Sequence, residues 1–108
     1  MYKIDQSTST VLFDKNLTHS NVAILEKSKE QLINELKLIN KDSLAFDFSK
    51  CVSLDTSGFA YILTLLRLID DDKDLSRKRV KLKSAQRIQV YATLYDLNEF
   101  FEKFFTSN

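Results

Sequence analysis

A chain of 108 residues has room for one domain, and a composition of 44% hydrophobic and 29% charged residues suits a globule that folds alone. The formal net charge of +1 gives no general reason to expect a nucleic acid or an anionic membrane as partner. No apolar run of about 18 residues and no basic-then-apolar leader is present, so the expected location is the cytoplasm. The lone Cys51 excludes an internal disulfide and, among Phe48, Val52 and Leu54, reads as a buried thiol.

In chain order, Tyr2-Lys3-Ile4-Asp5 and Thr10-Val11-Leu12-Phe13 are short strand candidates on either side of the polar turn Gln6-Ser7-Thr8-Ser9. Thr18 or Ser20 then offers an N-cap for one helix reaching about Ile39, with Leu25, Leu32, Leu36 and Ile39 facing the core beside the small Ser28. Lys27, Glu30, Glu35 and Lys37 fall on its wet side. His19, the only histidine, has no partner at metal or nucleophile-base spacing and reads as a surface residue near a helix start. Leu44, Phe46 and Phe48 alternate with Ala45, Asp47 and Ser49 as a strand, and a strand–helix–strand succession of this length implies a parallel pair.

The period then changes from two to 3.6 across Asp55-Thr56-Ser57-Gly58. Asp55 is a good N-cap, with Thr56 and Ser57 in the first helical turn. Gly58 is the only glycine and there is no proline, against roughly seven and five in a typical chain of this length, so Gly58 marks a place where a side chain would not fit. Phe59, Ile62, Leu63, Leu66 and Ile69 form an apolar stripe that Tyr61, Leu65 and Leu68 widen to roughly 220°. A helix on a sheet needs little more than about 100°. The excess calls for a second neighbour, either another helix or a partner protein.

Asp70-Asp71-Asp72-Lys73-Asp74 lacks the spacing and glycine of a calcium loop and reads as a solvated loop. Arg79-Val80-Lys81-Leu82-Lys83 alternates like a protected edge strand, although the same lysines could meet lipid phosphates. Ser84 can cap a third helix with Ile88, Tyr91, Ala92 and Tyr95 on one face, and Asn98 a last short one bearing Phe100, Phe101, Phe104 and Phe105. That cluster closes the core, with self-association open to any surplus apolar surface.

The segment DFSKCVSLDTSGFAYILTLL resembles the signature of STAS domains, an apolar strand, D-[ST]-[SA]-G and an apolar helix. YATLYDLNEFF is similar to the closing helices of one branch, MlaB, the STAS subunit of a lipid-transporting ABC complex, which usually has D-T-A-G and an L-Y-x-L segment. Thr56 and Tyr95 match that pattern, and Ser57 departs from it. In the anti-sigma-factor antagonists the position of Ser57 is the phosphorylated serine. The period changes and crossover lengths predict one α/β domain over residues 1–108, a mixed four-stranded sheet with helices packed against it in the order β-β-α-β-α-β-α-α, and the resemblance, from about Val11 onward, points the same way.

No Gly-rich phosphate loop and no Cys/His metal spacing is found, and no histidine is expected near the motif serine to act as general base, so no enzyme, metal or cofactor is expected. The resemblance implies a non-catalytic subunit that binds the cytosolic ATPase of an ABC-type phospholipid transport system, peripheral at the inner membrane through that partner. The alternative is an anti-sigma-factor antagonist that binds a serine kinase and is switched by phosphorylation of Ser57. The expected partner surface is Asp55, Thr56, Ser57, Gly58, Tyr61, Thr64 and Leu68, of which Ser57, Tyr61, Thr64 and Leu68 follow i, i+4, i+7, i+11 along one side of the helix. Nucleic-acid binding and membrane insertion are not expected.

Overall fold

Alternation and crossover length build the sheet. In the computed structural model, which describes residues 1–105, β1 (Tyr2–Asp5) pairs antiparallel with β2 (Thr10–Phe13), placing Tyr2 opposite Phe13. β3 (Ser43–Asp47) runs parallel to β2 with Val11 opposite Phe46, and β4 (Arg79–Lys83) runs parallel to β3 with Phe46 opposite Leu82. The strand order is β1-β2-β3-β4. Each parallel step is bridged by helix, as a parallel connection requires.

Val11, Phe13, Leu44, Phe46, Val80 and Leu82 share the face that joins the helices in one hydrophobic core. Phe13 stacks on Phe48 with ring centroids 5.2 Å apart and meets the edge of Tyr61 at 6.4 Å. The opposite face is open along β4, where Arg79, Lys81 and Lys83 are exposed.

The single helix expected before β3 is two, α1 (His19–Lys27) and α2 (Lys29–Lys37). Ser28 breaks it, with φ −112° and ψ 15°, and both its N–H and its hydroxyl turn back to the Leu25 carbonyl. A serine that bonds its own backbone in this way competes with helix continuation. Glu35 and Lys37 are also less free than expected, since Glu35 accepts the Tyr2 hydroxyl at 2.9 Å and Lys37 pairs with Asp72 at 2.8 Å. Burial first and Glu35 second push the Tyr2 phenol up to about 12.

The central helix, α3 (Thr56–Asp71), is followed by a short 3₁₀ turn at Leu75–Arg77. The acidic run is a solvated loop only in part, exposed at Asp71, Lys73 and Asp74 but ordered by its other members. Asp70 and Asp71 finish α3, and Asp72 accepts the N–H groups of Asp74 and Leu75 at 2.9 and 3.0 Å while holding Lys37. Lys37 and these N–H groups keep the Asp72 carboxyl below its usual range.

α4 (Gln86–Leu94) and α5 (Asn98–Phe101) close the chain, but neither expected cap operates. Ser84 takes φ 55° and Ala85 stands at the α4 N-cap, while Leu97 stands at the α5 N-cap and Asn98 accepts the Thr93 hydroxyl at 3.1 Å. Phe101 and Phe104 are buried, and Phe100 and Phe105 are half-buried against them.

Candidate functional site

The loop that leads from β3 into α3 is fixed from several directions. Asn16 Oδ1 accepts the N–H groups of Val52 and Ser53 at 3.0 and 3.1 Å, and Tyr91 donates its hydroxyl to the Leu54 carbonyl at 3.4 Å. Leu17 and Leu54 form a parallel bridge, with Leu17 N–H on the Ser53 carbonyl at 3.0 Å and Asp55 N–H on the Leu17 carbonyl at 3.2 Å. The result seats the start of α3 directly against the start of α1.

Asp55 joins the two. One carboxylate oxygen caps α3 by accepting the Gly58 N–H at 3.0 Å, and the other accepts the His19 N–H, the first of α1, at 2.9 Å. Thr18 occupies the α1 N-cap without a side-chain bond, so a carboxylate from a distant part of the chain takes over its duty. These N–H groups, Gly58's above all and then those of His19 and Ser57, hold the Asp55 carboxyl below its ordinary value against the opposing effect of partial burial. Its stabilisation is therefore complete above the usual carboxylate range and is lost as pH falls through the lowered folded value. Asp55→Ala should cost about 1–2 kcal/mol near neutral pH. Denaturant titrations should show the gap between wild type and variant closing in strong acid, and a gap that stays constant with pH would count against the ionised cap.

Gly58 has no unusual φ and is needed for space alone. A Cβ on it would overlap the Leu17 carbonyl oxygen and lie 2.9 Å from the Leu17 carbonyl carbon. The glycine of the motif thus meets the chain's own backbone and is buried.

The expected line along α3 has to be redrawn. Tyr61, assigned to the partner surface by spacing, is only 1% exposed. It lies inside against Phe13, with the Lys29 ammonium 5.6 Å from its ring centroid. Burial chiefly, with the Glu26 charge beside it, raises its phenol. The helix wheel alone could not show which border of the apolar arc α1 and α2 would cover. On the other side of α3, Phe59 stacks on Tyr91, Tyr95 and Phe101 at 5.5, 5.9 and 5.4 Å. The wide apolar arc is thus occupied by helices of the same domain on both flanks.

What remains in solvent is a ridge of Thr56, Ala60, Thr64 and Arg67, with Leu68 45% exposed beside it. Thr64 donates its hydroxyl to the Ala60 and Tyr61 carbonyls at 2.6 and 3.1 Å, so its polar atom serves the helix. Ser57 is half-buried at the head of the ridge.

His19 was not expected there. Its Nδ1 lies 3.4 Å from Ser57 Oγ, across 38 positions of sequence. No spacing rule could have found this pair, because the Asp55 bridge between two helix starts creates it. A base would need an orienting partner, but Asp55 spends its free oxygen on the His19 backbone and not on the imidazole ring. Among the described residues, no three or more His, Cys, Asp or Glu side chains converge as a metal site would need. No family model matches this chain, and no curated protein matches it.

Proposed function

We propose that this chain is a non-catalytic subunit of an ABC-type phospholipid transport system, which binds the cytosolic ATPase through the solvent ridge of α3 and supports its assembly or activity. The observation that carries the reading is the D-T-S-G passage in place: Asp55 caps α3, Gly58 seats it against Leu17, and Thr56 stands exposed at the head of the ridge. The resemblance of this passage and of the Tyr95 segment to the STAS subunit of lipid-transporting complexes supplies the partner class. In this reading Tyr61 is a core residue, and the contacts are Thr56, Ser57, Ala60, Thr64, Arg67 and Leu68.

A second reading, the phosphorylation-switched anti-sigma-factor antagonist, is favoured by one observation. The Ser57 hydroxyl stands at a helix start beside His19 Nδ1, surroundings that tolerate a phosphate of about −1.5 to −2 charge. Substitution separates the two. For a transporter subunit, affinity capture of the native protein should recover an ABC ATPase, with Thr56→Ala lowering recovery by roughly 5- to 100-fold, an interface loss of about 1–3 kcal/mol, and Ser57→Ala leaving it nearly unchanged. Recovery of a serine kinase instead, with release by Ser57→Asp and indifference to Thr56→Ala, would replace the first reading by the second.

A further inference from the structure

The open side of the sheet carries a charged row that the fold does not use. Arg79, Lys81 and Lys83 alternate with the buried Val80 and Leu82, stand about 7 Å apart, and make no salt bridge among the described residues. Lysines on an edge strand are ordinarily explained as protection against pairing with another sheet. Here the edge is already covered at Leu82, whose N–H donates to the Phe104 carbonyl at 2.9 Å and which bridges in parallel to Phe105. The acidic groups on the same face are engaged locally: Asp47, opposite Lys83, accepts the Ser49 N–H at 2.8 Å, and Asp5 accepts the Ser7 hydroxyl at 2.6 Å. Three like charges are thus held side by side against two carboxylates on the same face, Asp47 directly opposite Lys83 and Asp5 on the far strand, which leaves the row along β4 net positive.

We infer that this face docks on an anionic phospholipid surface, with Arg79, Lys81 and Lys83 against the headgroup phosphates. The charge selects an anionic occupant, and the form of the face selects a bilayer over a nucleic acid. Side chains stand off a sheet in one layer, the strands carry no aromatic residue on this face, and the half-buried Phe105 beside Lys81 and Lys83 is one ring where a single strand would need a row on which to stack its bases. No helix among the described residues is long and apolar enough to cross a membrane. Each cation near such a surface raises partitioning roughly 5-fold, and the gain is screened by salt. α3 packs on the other side of the sheet, so this contact is independent of any partner on the α3 ridge.

Co-sedimentation of the full chain with vesicles tests the assignment. Binding is expected to vesicles of phosphatidylcholine mixed with phosphatidylglycerol, not to phosphatidylcholine alone, and is expected to vanish at high salt. Lys81→Glu combined with Lys83→Glu should lower it at least about 20-fold with an unchanged circular dichroism spectrum, while Lys27→Glu, a change of two charges on the exposed side of α1, should leave it within about 5-fold. Absence of binding to the anionic vesicles would overturn the inference. So would equal losses in the double variant and in Lys27→Glu, or tighter binding to a single-stranded oligonucleotide than to vesicles at equal phosphate concentration.

Discussion

Gly58→Ala should destabilise the domain by more than about 3 kcal/mol, which for a chain of this size lowers the thermal midpoint by roughly 12 °C or more. The new methyl would meet the Leu17 carbonyl, a backbone atom held by the Asp55 N–H and by the Leu17–Leu54 bridge. A flexible side chain could swing away, but this carbonyl can retreat only by opening the joint between α1 and α3. The expected loss is a large share of a total stability of about 5–15 kcal/mol. A shift below about 4 °C, the equivalent of 1 kcal/mol, would show that the 14–18 segment gives way easily.

Tyr61 should be the most sensitive side chain of α3. Tyr61→Ala removes a buried ring that meets Phe13 edge-on and should cost about 3–5 kcal/mol. Tyr61→Phe should be neutral or stabilising by up to about 1 kcal/mol, because the Tyr61 hydroxyl is buried without a hydrogen-bond partner. Chemical denaturation of the pair separates packing from polarity. If Tyr61→Phe were as damaging as Tyr61→Ala, the hydroxyl would have to hold an ordered water or a shifted partner.

Sequence patterns carried most of the architecture because the sheet obeys simple periods. Val11 and Phe13, Leu44 and Phe46, and Val80 and Leu82 each alternate with residues that face away, and the crossover lengths force β2, β3 and β4 to run parallel. Asp55 was legible as a cap and Gly58 as a close approach, since both follow from residue chemistry at one place in the chain. The break at Ser28 was not, because a serine in a helical pattern gives no sign of which carbonyl its hydroxyl will choose. Nor was the burial of Tyr61. An apolar arc wider than one sheet needs shows that neighbours exist without showing where they sit. His19 beside Ser57, and Asn16 beneath the loop, depend on contacts 36 to 38 residues apart that leave no local trace.

The shared carboxylate of Asp55 also bears on how the molecule comes apart. Helix ends usually fray separately, each at its own low free energy. With the first N–H of α1 and the cap of α3 on one side chain, and Leu17 laced to Leu54 beside it, neither end can open without exposing the other. The two crossover connections of the sheet are thereby joined at their starts, and the amides of those two helix starts should exchange with solvent together and not one helix at a time.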